Sequence, residues 1–313
     1  MKFKFDNLNE LLEILNSPEE ESAPISAPDY VIKREAFISG LGEEAVLEKL
    51  DKRIAVSRAS LIKGLTIPQF SSSGLTRGAA AAFYNSEKKL MDDGLFRRSI
   101  SYALAINEVN AAGGKIVAFP TAGSSGIVSG AIWAWWDVKN KAPFVPVPEE
   151  EPFPNELRDA FLVSSLAGML IAQKATLAGA EGGCQAECGS AAAMAACALA
   201  YLEKLPLEDC FSAAALSLKN SLGLACDPVA GLVEVPCVKR NAFFAVNAVL
   251  AVDMSLAGIR SIIPFDDVVL AMKDIASSMP ANIRENAMGG LAATPTGKKI
   301  KEELSGTELP NKQ

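Results

Sequence analysis

Apolar residues along this chain recur mostly at helical spacing. Leu8, Leu11, Leu12 and Leu15 fall three and four residues apart, which places them on one face of a helix over residues 6–16. The period is lost over residues 17–28, where Pro18, Pro24 and Pro28 mark an acidic loop into a second helical region across about residues 34–62. A third stretch, residues 96–112, repeats Ile100, Leu104, Ile106 and Val109 and ends at Gly113-Gly114, a helix stop. From residue 155 onward the pattern predicts helices over 156–178, 187–205, 207–222, 239–259 and 265–279. Pro206, Pro228, Pro236, Pro264 and Pro280 lie at or near their boundaries, where proline's missing N–H is tolerated. Small residues dominate 190–200, so closely packed helices are expected there.

Two segments interrupt this helical reading. Lys115-Ile116-Val117-Ala118-Phe119 precedes Pro-Thr-Ala-Gly-Ser-Ser-Gly at 120–126 and an apolar helix, a layout that could be strand, glycine loop and helix. It matches neither a P-loop nor a dinucleotide fingerprint, and no regular alternation of strands and helices follows, which disfavours a doubly wound sheet. What remains is anion-binding logic: glycines let backbone approach a ligand, while Thr121, Ser124 and Ser125 add hydroxyls. The second interruption is 143–154, proline-rich and acidic, which reads as a linker or a long loop. The expectation is a mainly α protein with N-terminal helices and linker over 1–70, a larger helical part over 71–297 that holds the candidate site residues and a polar, frayed tail over 298–313. The polar loop 71–78 reads as a surface turn unless its hydroxyls and Arg77 face a ligand.

Composition narrows the function classes. Half of the 313 residues are apolar, enough for a large core, and 30 basic against 37 acidic residues give no electrostatic case for nucleic acid or an anionic membrane surface. The most apolar runs, 161–172 and 242–259, are too short or are broken by Asn247 and Asp253, so they read as core helices. The N-terminus has no signal-peptide pattern, and a cytoplasmic location is expected. The sequence contains no histidine, which removes the commonest neutral-pH acid/base and metal ligand. Six cysteines are too few for a disulfide scaffold at this length.

Three of those cysteines stand out. Cys184, Cys226 and Cys237 each sit at a glycine or proline turn beside a predicted helix start, where the helix dipole favours a thiolate. Together they could form a metal site with an open position. Cys188, four residues after Cys184, would close such a site if it joined, giving a structural zinc or iron–sulfur centre. Cys197 and Cys210 read as small buried hydrophobes.

Several longer segments carry a family likeness. Gly-Gly-Cys-Gln-Ala-Glu at 182–187, the run from Leu218 to Ala242 that holds Cys226 and Cys237, Asn-Glu-Val-Asn-Ala-Ala at 107–112, the 120–126 loop and Gly-Gly-Leu-Ala-Ala-Thr-Pro-Thr-Gly at 289–297 resemble the alpha subunit of iron–sulfur-dependent L-serine dehydratase. The resemblance covers nearly everything after about residue 71. It implies a helical catalytic domain holding a [4Fe–4S] cluster on Cys184, Cys226 and Cys237, with Cys188 a bystander and one iron open to the carboxylate and hydroxyl of L-serine. It further implies an L-serine ammonia-lyase of amino-acid degradation. Loss of water would give aminoacrylate, which tautomerises and hydrolyses to pyruvate and ammonia.

Elimination of water needs a Lewis acid on the hydroxyl and a base at Cα. Substrate and cluster contacts are expected from Thr121, Ser124, Ser125 and Gly126 and from Lys239, Arg240 and Asn241, which follow a ligand directly. The base is not evident. The resemblance implies a beta subunit that completes the site, so a heteromer is expected. Two places depart from the family pattern: Leu75-Thr76-Arg77-Gly78 followed by four alanines, and Lys174 with Glu181 ahead of Gly182. The competing readings are a related amino-acid lyase, a pyridoxal-phosphate dehydratase, which the helical C-terminal half argues against, and a zinc-stabilised interaction subunit.

Overall fold

The computed structural model describes residues 3–16, 24–143 and 151–306. Thirteen α-helices run through them: α1 (Leu8–Asn16), α2 (Ala27–Ser39), α3 (Glu43–Thr66), α4 (Ala79–Tyr84), α5 (Leu95–Ala111), α6 (Ser125–Lys139), α7 (Asn155–Lys174), α8 (Gly179–Gly182), α9 (Ser190–Leu202), α10 (Leu207–Lys219), α11 (Cys237–Leu256), α12 (Phe265–Ser278) and α13 (Pro295–Gly306). No strand occurs among the described residues, so the fold is mainly α as the spacing predicts. The centre is α9, buried along its whole length except Tyr201, with α6, α7, α10 and α11 packed around it. Its alanines let these neighbours approach closely, the physical content of the small-residue run.

Glycine makes the tightest crossing. On α6, a Cβ at Gly126 or Gly130 would lie 2.2 or 2.7 Å from the backbone of Ala103 on α5, so α5 and α6 touch almost backbone to backbone. One hydrophobic core runs from Phe5 and Leu11 through Ile54, Leu61, Trp133 and Phe161 to Phe265 and Met272. Inside it Asp137 accepts two 2.9 Å hydrogen bonds from Arg58 and one of 2.7 Å from the Tyr102 hydroxyl. The Arg58 guanidinium lies 4.4 Å from the centre of the Trp133 ring, whose N–H donates to Ser57.

The differences from the sequence pattern have local causes. The expected helix over 34–62 is two helices, because Gly40 adopts a left-handed φ of 69° and ends α2, which itself begins earlier, capped by Ser26 and led by Pro28. Residues 115–119 form no strand: no strand occurs among the described residues to pair with, and the segment passes as coil into a cis Phe119–Pro120 bond. Polar residues 295–306 form a helix where fraying is expected, because Thr294 caps it through the Gly297 amide and Pro295 suits its first turn. Of the acidic loop and the proline-rich linker, residues 17–23 and 144–150 lie outside the described residues. Lys174 is an inter-helix tie: it pairs at 2.9 Å with Asp266 at the start of α12, whose other oxygen accepts the Leu8 amide. Glu181 accepts from the Thr176 hydroxyl.

Candidate active site

Each of the three singled-out cysteines is placed by a different piece of backbone. Cys184 opens a π-helical turn, Gln185–Gly189, that widens the entry into α9. Such turns are uncommon and gather at functional sites. Gln185 holds it, donating to Met272 O at 3.1 Å and accepting the Gly223 amide at 2.9 Å. Cys237 is the first residue of α11, behind a cis Val235–Pro236 bond. Cys226 lies on an extended segment that donates its amide to Ile283 O at 2.9 Å and accepts the Glu285 amide at 2.7 Å.

Folding brings these thiols together. Cys226 and Cys237 both lie within the electrostatic reach of Cys184, and Cys226 within that of Cys237. All three are buried, which disfavours the thiolate. Burial, then the charge of Cys184, pushes Cys237 up to about 12 and Cys226 higher still. Cys184 is held below the ordinary thiol value, first by a hydrogen bond from Cys188 and then by the Arg240 guanidinium. Cys188 therefore touches the group, directed at Cys184 by the four-residue step. Cys197 and Cys210 are buried in α9 and α10 as small hydrophobes, and burial raises both.

The segment after Cys237 divides. Arg240 reaches back to Cys184, Ala225 O (2.8 Å) and Asp227 (3.1 Å), so it braces the thiols. Asn241, fully buried, donates to Gly123 O at 2.8 Å and Cys237 O at 2.9 Å and accepts the Gly126 amide at 3.0 Å. Lys239 is exposed on the other side of α11, over an apolar groove with Phe83, Met91 and Phe243. In the 121–126 loop, Thr121 and Ser124 share a 2.9 Å hydroxyl contact. The Ser125 hydroxyl is buried without a hydrogen-bond partner among the described residues. The Gly126 amide is taken by Asn241; the glycine serves close packing on Ala103 instead.

Several positioning residues were legible only as parts of quoted segments. Glu187 accepts from Thr121 and, at 3.8 Å, from the Cys226 thiol. Burial, then the neighbouring Glu285, raises its carboxyl above the usual range. The ligand atoms of Glu187, Cys226 and Glu285 lie within 4.8 Å of one another, close enough for a shared metal ion. Glu234, between Cys226 and Cys237, accepts hydroxyls from Ser71 (2.6 Å), Ser73 (2.7 Å) and Thr76 (2.6 Å), which ties the 71–78 loop to the cysteine segment. In the same loop Arg77 is exposed and bonded to Gly74 O, and the four alanines open α4, whose first amides donate to buried Glu108 at 2.8 and 2.9 Å. Asn107 and Asn110 hold the carbonyls of Gly123 and Ala122. Asp227 accepts the Leu291 amide at 2.8 Å and anchors the 289–297 segment.

A helical scaffold that gathers buried thiols, carboxylates and a hydroxyl loop in one region defines a candidate metal-dependent enzyme. The chain belongs to the serine dehydratase alpha chain family, which it matches over residues 9–292. It is 42% identical over 312 residues to a probable L-serine dehydratase, alpha chain, of Bacillus subtilis, covering 99% of this chain and 98% of that one. It is 41% identical over 301 residues to the L-serine dehydratase, alpha chain, of Peptoniphilus asaccharolyticus, covering 95% and 98%. L-serine dehydratase 2 of Escherichia coli is 43% identical over 195 residues, which are 61% of this chain and 40% of that protein. No described helix is long and apolar enough to cross a membrane.

Proposed function

We propose that this chain is the alpha subunit of an L-serine dehydratase, an ammonia-lyase that converts L-serine to pyruvate and ammonia. The family match and the near full-length alpha-chain relatives support the activity. The observation that carries the site is the convergence of Cys184, Cys226 and Cys237. Three soft sulfur donors in a buried pocket fit an iron–sulfur cluster, and a positive centre would offset what burial costs their thiolates. When bound, a [4Fe–4S] cluster supplies a Lewis-acidic iron for the departing hydroxyl.

The chain's own residues do the positioning. Arg240 offsets the charge of Cys184 while Asp227 holds its guanidinium in place. Asn241 fixes the 121–126 loop relative to Cys237, so that Thr121, Ser124 and Ser125 present hydroxyls to the substrate carboxylate. Lys239 faces away from this pocket and has no part in that contact. Cys188 orients Cys184 and is not a ligand. The base for the α-proton comes from a beta subunit; the relatives' alpha-chain names and the histidine-free sequence support that reading. A cytoplasmic location suits such an oxygen-sensitive centre.

Metal and sulfide analysis after anaerobic purification tests the site. About four iron and four sulfide per chain are expected. Cys226→Ser should lose them and Cys188→Ser should keep them. One zinc without sulfide would overturn the cluster. Full serine turnover by the cluster-loaded chain alone would overturn the need for a partner.

A further inference from the structure

Neither the hydroxyl loop nor Arg240 suits the substrate's third functional group. L-serine at neutral pH carries an α-ammonium as well as a carboxylate and a hydroxyl, and a cation taken from water needs charged acceptors. The loop hydroxyls of Thr121, Ser124 and Ser125 suit the carboxylate. Arg240 is engaged by Cys184, Asp227 and Ala225 and would repel an ammonium.

Glu187 is placed differently. One of its oxygens faces the Cys226 thiol at 3.8 Å, while the other lies toward the 121–126 loop, where a Cβ on Gly123 would be 3.5 Å away. The same carboxylate accepts from Thr121. It therefore spans the gap between a cysteine of the pocket and the loop expected to hold substrate. Glu285 converges on it from a separate segment, with its backbone bonded to Cys226: a Cβ on Gly179 would lie 2.6 Å from Glu187 and 3.1 Å from Glu285. Among the described residues neither carboxylate has a lysine or arginine partner. Two acids held this close beside the hydroxyl loop, without a protein cation, form a negative site that a cation on the ligand would balance.

We infer that Glu187, backed by Glu285, is the subsite for the α-ammonium of the substrate and sets the preference for a 2-amino acid over a hydroxy acid of the same shape. This rests on the L-serine reading of the pocket. Glu187 acts by orienting the substrate: with the ammonium held at the Cys226 edge and the carboxylate at the loop, the position of Cα is set for proton removal.

The test compares two ligands on the anaerobic holoenzyme with its partner chain. L-serine carries all three groups; 3-hydroxypropanoate keeps carboxylate and β-hydroxyl and lacks the amine. Dissociation constants are read from the change each ligand makes in the visible absorption, alongside iron content. Glu187→Gln should bind L-serine about tenfold to a hundredfold more weakly, the loss of one charge-assisted contact, with 3-hydroxypropanoate and iron content unchanged. Glu187→Asp should recover part of the serine affinity, and Glu285→Gln should show a smaller loss in the same direction. Equal weakening of both ligands, unchanged serine binding, or loss of iron from Glu187→Gln with Glu187→Asp alike would overturn the inference. A wild-type holoenzyme that does not respond to L-serine would overturn the underlying reading, a result recognisable before any variant is made.

Discussion

Asn241 holds the Gly126 amide at 3.0 Å across the junction of α11 and α6, and its amide group donates to Gly123 at 2.8 Å. One fully buried side chain thus links the helix begun by Cys237 to the loop carrying Thr121, Ser124 and Ser125. Replacing it by alanine leaves the Gly126 N–H without its partner in the interior, while the Gly123 carbonyl keeps only Asn107. We expect Asn241→Ala to cost about 1–3 kcal/mol of stability. Because the loop is released, KM for serine should rise as well. Denaturant midpoints and steady-state kinetics check both, and a variant with wild-type KM would detach the loop from substrate binding.

Glu234 makes a second link, between the 71–78 loop and the cysteine segment. Its three donors differ in burial: Thr76 is fully buried, whereas Ser73 is partly exposed. A hydroxyl removed from a buried carboxylate is not replaced by water, so Thr76→Val should cost about 1–3 kcal/mol and Ser73→Ala less. Limited proteolysis should cut the 71–78 loop of Glu234→Ala faster than that of the wild type. Equal losses for Thr76 and Ser73 would mean that water reaches the carboxylate.

Much of this architecture was legible in the chain itself. The helical spacing after residue 155 places α9, α10, α11 and α12 to within a few residues, because their apolar stripes face one core. Gly40 shows the limit: a two-glycine break in an otherwise charged region looks like surface until its left-handed φ is seen. The 115–119 run has a strand's composition but no partner, and pairing is a tertiary fact that one segment cannot carry. At the site, the cysteines and Asn241 stood out by residue type and position. Glu187 did not, although it lies in the same segment as Cys184, because its role depends on a π-turn that rotates it toward Cys226 and on Glu285 arriving from far along the chain. Lys239 shows the same limit: two residues beyond Cys237 on α11, a turn of about 200° puts it on the other side of the helix.

Asp159 on α7 gives a pH dependence remote from the cysteines. Burial, then the charge of Asp29, raises its carboxyl from 3.8 to about 6. In that window the folded protein keeps a proton the unfolded chain has released, so the contribution to stability falls as pH rises and the charged form is a liability above it. Asp159→Asn should therefore melt higher than the wild type at about pH 7 and level with it at about pH 4. The comparison is between variant and wild type at each pH, which removes effects common to both. A constant difference at the two values would remove Asp159 as the source. Since the group is only partly buried, solvent screening makes the gain modest.

Asp137 sits at the opposite extreme of burial and should respond most strongly. It takes both arms of Arg58, the Tyr102 hydroxyl and a more distant 4.0 Å approach from Arg98, all within a nearly solvent-free pocket. Removing the carboxylate takes both fork contacts from the buried Arg58 charge beneath Trp133, so Asp137→Ala should cost about 3–5 kcal/mol. Removing Arg58 alone should be somewhat less harmful, since the acid keeps the Tyr102 hydroxyl and the Arg98 charge. Replacing both at once, Arg58→Met with Asp137→Leu, takes away the uncompensated charge and should recover much of the loss, although the Tyr102 hydroxyl then keeps only the 3.3 Å bond from Arg98. Chemical denaturation of the two single variants and the double variant completes the cycle. Additive losses in the double variant would show that the two side chains are held by their separate surroundings and not by each other.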